Sequence, residues 1–420
     1  MRAPLEVPAL VLPQYPYRDC ANLYSKFQQA RRSVRPEEPM TQIGLNATVM
    51  RTDASYHNAG PSRYTTNLVA GVLAQPSDYD FTIYVNDQVP SLPFKPTRDV
   101  RIQRTPIRTS RTGLRILWEL MVAPWQIGAS RLDLVHSMLN VVPLAAPTRH
   151  VVTIHDLSFM RVANAHPPLR RWYLTAATWL SIRRSAAILA DSKATRNDVI
   201  RLLGANPDRV HVVYPGSDPS FHPRPDNEVE AFRTTKNLNR PFVLFVGTLE
   251  PRKNVDILIT AFGTLVRQNK FSGDLVIVGG TGWGTRAIDA ALAKSPIRDR
   301  IKMMGYVNQS ELPSWYTAAT LVVYPSSYEG FGIPVLEAMA SGTPVITSNQ
   351  SSLPEGGGNA SLTIEPRDAL QLADAMTTVL ASRRQREEMR SRGLAQAQRF
   401  DWGIASQRCL NVYRKVLNPS

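Results

Sequence analysis

Two carboxylates eight positions apart, Glu329 and Glu337, bracket a Gly-Phe-Gly turn and a proline in the run YEGFGIPVLEAMASGTPVITS. Pro334 suits the first turn of a helix, and the preceding TLVVYPSS has the pattern of a buried strand. A strand, a glycine turn and a helix bring backbone N–H groups to the open end of a sheet, where an anion can be held. Gly330 and Gly332 let the chain around Phe331 come close to a sugar or phosphate, because they lack side chains. Acids at the turn and two helical turns later could grip two parts of one extended ligand. A phosphorylated sugar attached to a nucleoside is such a ligand.

Three further segments offer matching chemistry. In FVGTLEPRKNVDILITAF a strand ends at Gly247, and a loop presents Arg252 and Lys253 before a helix that Asn254 is suited to cap. Two cations at a helix start run against the helix dipole, which suggests that something anionic binds there. They could neutralise a leaving diphosphate without a metal. TIHD ends a strand with His155 and Asp156, and in HNAGPSRYTTNL Gly60 lies between the first strand and first helix, where its amide could donate to a diphosphate. Glu337 could accept hydrogen bonds from ribose hydroxyls. One triplet, Asp78-Tyr79-Asp80, has the form that can bind a divalent cation carrying a nucleotide diphosphate. It precedes a strand far from the other segments and reads as a loop coincidence, so no metal is expected to be required.

These residues need a scaffold that gathers distant loops, and the chain supplies one. From Met40 onward strands and helix-length segments alternate: IGLNATVM, DFTIYVN, LDLVHSM, HVVTIHD, AAILADS and RVHVVYPG, then FVLFVG, DLVIVGG, RIKMMGY, TLVVYPSS and TPVITS. That alternation predicts α/β architecture with parallel sheets covered by helices on both faces. Two such series joined by SDPSFHPRPDNEVEAF predict two doubly wound domains across a cleft, residues 40–217 and 218–401. A last helix within 402–420 could pack back on the first domain. Residues 1–39 carry six prolines and no sustained period. They read as a disordered tail or a mis-assigned start, with Met40 the real one.

The ensemble of motifs resembles a retaining glycosyltransferase of family four, over about residues 41–417. The resemblance rests on EGFGIPVLE, with its two glutamates separated by seven residues, and on GTLEPRKN, DSKATRNDV, VVYPGSD and SNQSSLPE in family order. It implies a GT-B fold of two facing Rossmann-like domains and transfer of a hexose from a nucleotide-sugar. It implies that Arg252 and Lys253 hold the diphosphate and that Glu337 holds the ribose. Glu329 and the amides of Phe331 and Gly332 would contact the transferred sugar, His155 would bond a hydroxyl near the reacting carbon, and Gly60 would line the phosphate side. The backbone around Tyr306 and Val307 would meet the nucleobase. The stretch SSYEGFGIPVLEAMASGTPVITSNQSSLPE looks most like members using GDP-mannose, with UDP-glucose also possible. No separate cofactor is implied. Asn359 stands where the family often has an acidic residue, and Ala59-Gly60 where many members have paired glycines.

The acceptor, a glycan or lipid-linked saccharide, would be read by the first domain. Net charge is +15, and residues 1–217 hold 26 Lys/Arg against 15 Asp/Glu, which suits a polyanionic partner. Seven basic residues from Lys95 to Arg115 face only Asp99, and Leu114, Ile116, Leu117, Trp118, Leu120, Met121 and Trp125 follow or interleave. The segment 168–184, with Arg170, Arg171, Trp172, Tyr173, Trp179, Arg183 and Arg184, is similar. Such helices suit an anionic membrane surface. No recognition-helix or aromatic RNA motif accompanies the basic charge, so nucleic acid is not expected. Cys20 and Cys409 do not make a disulfide framework, which fits a reducing cytoplasm and the inner face of a cell membrane. Two other readings share the fold: a nucleotide-sugar epimerase, and a non-catalytic glycan-binding protein.

Overall fold

The strands that position the site are short apolar runs buried on both faces. In the computed structural model, which describes residues 40–51, 60–162 and 167–419, they form two parallel sheets. The first comprises β1 (Thr41–Asn46), β2 (Tyr79–Val85), β3 (Arg101–Arg104), β4 (Leu134–Ser137), β5 (Arg149–Ile154), β6 (Ala187–Ala190) and β7 (Val210–Val212). Their order is β3-β2-β1-β4-β5-β6-β7. The second comprises β8 (Phe242–Val246), β9 (Asp274–Val278), β10 (Ile301–Gly305), β11 (Leu321–Tyr324), β12 (Val345–Ser348) and β13 (Leu362–Ile364), in the order β10-β9-β8-β11-β12-β13. Residues Gln42–Ser420 form one compact unit. The reading of residues 1–39 lies outside the described residues.

Chain direction across each sheet reverses at one point, between β1 and β4 in the first and between β8 and β11 in the second. Loops leaving the carboxyl ends of such neighbouring strands diverge to opposite faces and leave a crevice. The loops after β8 and β11 carry Arg252-Lys253 and Glu329, so the second sheet's reversal places those segments side by side. Register fixes the contact: Val243 pairs with Leu321 and Leu244 with Val322.

The second domain's core runs through Phe242, Phe245, Phe262, Trp315, Leu336 and Met376, all essentially inaccessible. Each such side chain contributes roughly 1.5–3 kcal/mol relative to exposure. The first domain's largest core cluster joins Ile43, Leu45, Leu68 and Ile83 to Cys409, Leu410 and Tyr413 of the helix Trp402–Leu417. That helix lies against the helix Pro61–Ala74: a Cβ on Gly71 would come 2.1 Å from Ser406 Oγ, so glycine sets their close approach.

Two elements depart from the sequence reading. The basic run after Lys95 contains an edge strand, β3, whose residues are mostly exposed. The aromatic-aliphatic helix after Arg111 is three pieces, Thr112–Leu117, a π-turn at Trp118–Val122 and Ala123–Ala129. Trp118, the first residue of the π-turn, is fully buried, with Nε1 donating to Gln126 Oε1 at 2.7 Å. Trp118 therefore is not part of the surface it was grouped with.

Candidate active site

The loop after β8 winds through a 3-10 turn, Pro251–Lys253, before the helix Val255–Arg267 begins. Asn254 does not cap that helix with its side chain. It takes a left-handed backbone (φ 52°), and its amide donates to Pro325 O at 2.8 Å and Ser327 Oγ at 2.7 Å. The side chain thus ties the cation loop to the glutamate loop. The departure from the expected cap has a local cause: the tight turn needs a positive φ, which Asn tolerates better than most residues.

Arg252, Lys253 and Glu329 form one buried cluster. Arg252 Nη1 lies 2.8 Å from Glu329 Oε2, and Lys253 Nζ lies 2.5 Å from Glu329 Oε1. Ser326 Oγ (2.6 Å) and Tyr324 Oη (3.1 Å) also donate to Oε1, and Arg252 pairs with Glu250 at 2.8 Å. Burial would raise the Glu329 carboxyl, but the Arg252 and Lys253 charges hold it at about 2. The two cations thus favour its ionised form. Burial and the neighbouring Arg252 push Lys253 down, against the pull of Glu329.

Gly332 opens the helix Ile333–Ala340 with φ +91°, a conformation that favours glycine. Glu337 lies one turn into that helix and is 2 % exposed. Tyr316 Oη donates to its Oε2 at 3.0 Å, and the Arg63 guanidinium donates to its Oε1. Burial pushes the Glu337 carboxyl above its ordinary range, with Arg63 pulling the other way.

His155 follows β5 and is nearly buried. Its Nδ1 meets Asp191 Oδ2 at 2.8 Å, and its Nε2 meets Met138 O at 2.9 Å. Both partners are acceptors, so both ring nitrogens carry hydrogens. Burial would lower its pKa, but Asp191 beside it raises it. The ring is therefore fully engaged within the first domain, and bonding a ligand hydroxyl would require exchange of the Met138 carbonyl.

The two domains touch closely here. A Cβ on Gly330 would come 2.0 Å from His155 O. Thr195 Oγ1 contacts Gly330 O at 3.2 Å, and Tyr328 Oη accepts from Leu157 N at 3.1 Å and meets Asp198 Oδ2 at 3.0 Å. Glu355 accepts from the amides of Lys193 (2.8 Å) and Ala194 (2.7 Å) at the start of the helix Lys193–Leu203. A cavity of about 360 Å³ opens beside Tyr328, lined by Arg161, Asn197, Asp198, Arg201 and Ser351.

The structure thus gathers His155, Gly330, Glu329, Arg252 and Lys253, with Glu337 on the helix that follows. Phe331 is buried against Tyr214 and Phe400, which leaves its backbone for any ligand contact. Gly247 ends β8, its amide bonded to Val278 O. Gly60 precedes the helix Pro61–Ala74. Tyr306 and Val307 follow β10 at the edge of the second sheet, Tyr306 41 % exposed. Of the D-x-D triplet, Asp80 accepts from Gln42 Nε2 at 2.8 Å. Among the described residues, no group of three or more His, Cys, Asp or Glu side chains could hold a metal ion. Sequence reasoning missed Arg63, Tyr316, Tyr324 and Ser326. For Arg63 one local signal existed, a cation in the first turn of a helix.

Comparison with known proteins matches residues 226–396 to the family described as Glycosyl transferases group 1, and residues 59–221 to Glycosyltransferase Family 4. A relative, the O-antigen chain mannosyltransferase B of Escherichia coli, is 33% identical over 267 residues, 63% of this chain and 70% of that one. Sucrose-phosphate synthase from Thermosynechococcus elongatus superposes with a TM-score of 0.74 at 21% identity, over 90% of this chain and 100% of that one. The Anabaena HepE protein, solved in complex with UDP and glucose, superposes at 0.68 with 19% identity, over 89% and 99%.

Proposed function

The chain belongs to glycosyltransferase family 4, the glycosyl transferases group 1, and from that membership we propose a retaining mannosyltransferase acting on a glycan or lipid-linked saccharide. The observation that carries the reading is the Arg252–Lys253–Glu329 cluster at the reversal point of the second sheet. There the two cations take the diphosphate of a nucleotide-sugar, and Glu337 takes the ribose. Glu329 and the amides of Phe331 and Gly332 take the sugar, Gly60 lines the phosphate side, and Tyr306 and Val307 meet the base. GDP-mannose is the favoured donor, supported by the mannosyltransferase relative. UDP-glucose is the other, supported by the UDP and glucose named for HepE.

Departure of the nucleoside diphosphate builds negative charge on phosphate oxygens. Stabilising that charge is worth about 3–4 kcal/mol per well-placed donor. Arg252 is suited to this because its buried guanidinium stays protonated: burial would lower it, but Glu329 and Glu250 raise it well above its ordinary value. A double displacement would need a carboxylate nucleophile on the other face of the sugar. Asp156 Oδ1 is already bonded to Ser158 N at 2.8 Å, and Asp191 is bonded to His155. Front-face attack, with the leaving phosphate oxygen taking the acceptor's proton, fits this inventory. The acceptor would enter beside the cavity at Arg161 and Tyr328.

We place the enzyme at the cytoplasmic face of a membrane. Among the described residues no helix is long and apolar enough to cross one. Trp125 is 81 % exposed and Trp172 70 %, and Leu117, Leu120, Met121 and Leu169 are exposed beside them. Burial and the charge of Glu119, in the other segment, push the Tyr173 hydroxyl up to about 12. Arg170, Arg171 and Arg183 are exposed on the same helix. Exposed tryptophans with an arginine rim fit an anionic interface. Native protein should bind vesicles containing phosphatidylglycerol in a salt-sensitive manner. A Trp125→Ser/Trp172→Ser protein that binds as well as the native one would end this part of the reading.

Thermal shift with a panel of nucleotide-sugars tests the rest, since a native-state ligand raises stability by mass action. A GDP-mannose response should vanish in Arg252→Ala and Glu337→Ala. Release of nucleotide only with acceptor present, and an unchanged anomeric configuration in the product, would complete the assignment. A response that neither substitution alters would show the donor site to be elsewhere.

A further inference from the structure

Glu337 is buried, and each of its oxygens has one partner, Tyr316 from its own domain and Arg63 from the other. A carboxylate can accept about four hydrogen bonds, so two positions remain for a pair of neighbouring hydroxyls. Arg63 stands in the first turn of the helix Pro61–Ala74, three residues beyond Gly60. Its guanidinium packs over the Phe221 ring at 5.6 Å. Its Nε is buried without a partner, and a ligand oxygen would satisfy it.

Among the described residues, no second cation pairs with Glu337 as Arg63 does. Tyr316 faces it from the helix Leu312–Ala318, and Asp218 of the interdomain connector adds like charge. Arg390 lies against Gly342, beyond the far end of the helix that carries Glu337. Glu355, on the next helix, is committed to the Lys193 and Ala194 amides.

We propose that Arg63 is the positioning residue for the ribose carboxylate, holding Glu337 ionised and aimed from the opposite domain. The proposal rests on the reading of Glu337 as the ribose ligand. Its consequence is that the ribose subsite is complete only when the domains are closed on each other, so recognition of the nucleoside and closure of the cleft are one event. Burial already pushes Glu337 above its ordinary range with Arg63 in place. Without that charge one of the groups that offsets burial is gone, and the carboxyl would rise further.

Calorimetric titration of GDP, with UDP as a second probe, tests this in native protein, Arg63→Met, Arg63→Lys and Glu337→Gln from pH 6 to 9. Arg63→Met leaves the ribose carboxylate without its positioning cation and should bind GDP at least about tenfold more weakly at pH 7. Its affinity should fall further toward pH 6 and recover toward pH 9, whereas the native profile is flatter. Arg63→Lys should regain most of the affinity and the flatter profile, which a merely structural role would not predict. If Arg63→Met fails to fold, Arg63→Lys carries the test through its pH profile against Glu337→Gln, which should be weak at every pH. Equal or tighter binding by Arg63→Met at all pH values, with Glu337→Gln weak, overturns the role of Arg63 alone, as does an Arg63→Lys protein that binds no better than Glu337→Gln. Native affinity in Glu337→Gln overturns the ribose assignment instead.

Discussion

Glu329→Gln is the most revealing single change, because it keeps the shape of the side chain and removes the charge at the centre of a buried cluster. Glu329 faces Arg252 at 2.8 Å and Lys253 at 2.5 Å, and both cations are largely shielded from solvent. Its folded pKa falls from 4.5 to about 2, with burial opposing the fall and the two cations causing it. Each pKa unit is about 1.36 kcal/mol, so the ionised carboxylate contributes roughly 3 kcal/mol at neutral pH. A depressed carboxylate adds stability that is fully present above about pH 4.5 and lost as pH falls toward 2. Linkage reduces the contribution to roughly 1.4 kcal/mol at pH 3. Urea unfolding of native and Glu329→Gln protein should therefore differ by about 3–5 kcal/mol at pH 7, since buried Lys253 loses its carboxylate partner and Arg252 keeps only Glu250. The gap should narrow as the pH is lowered. Added GDP should recover part of it, because a diphosphate supplies the missing negative charge. A difference below about 1 kcal/mol at pH 7, or one that does not change with acid, would refute the electrostatic account of the cluster.

Other substitutions test neighbouring parts. In Gly330→Ala the new methyl would meet the His155 carbonyl at 2.0 Å, so the two loops must part. We expect transfer to fall by about a hundredfold, as a misplacement of about 1 Å can cause, with circular dichroism unchanged; activity near native would show that this approach is not needed. Asp191→Asn removes the negative charge that raises His155. The imidazolium should then lose its proton at lower pH, as read by nitrogen NMR of the ring, and an unmoved titration would mean that Asp191 does not hold it.

Much of the scaffold was legible because a strand buried on both faces leaves a continuous apolar run. FVLFV, DLVIV and LVVY are such runs, and each is a strand. β3 escaped notice because RIQR sits at a sheet edge, where solvent accepts arginine as readily as valine. β13 is three residues long, too short to show a period. At the site, Glu329, Arg252 and His155 announced themselves through glycine turns and strand ends, which are local features. Arg63 did not, because its partner lies 274 positions away and only the folded chain joins them. The same argument used for Arg252 and Lys253, a cation against a helix dipole, applies to Arg63 and was the available clue. Trp118 illustrates the opposite failure. Leu117, Leu120 and Met121 are exposed while Trp118 is in the core, a split that residue type alone does not reveal.

The helix Trp402–Leu417 follows the second domain in the chain yet fills the first domain's core with Cys409, Leu410 and Tyr413. Tyr413 Oη also meets His136 Nδ1 at 2.6 Å, on a strand next to the one that His155 follows. During synthesis, then, the half that leaves the ribosome first cannot finish folding first. The apolar surface that this helix covers must wait while some two hundred residues of the second domain emerge and collapse. Only the arrival of that helix seals it, so the earlier-made half exists as a native structure only in chains whose later half is already present.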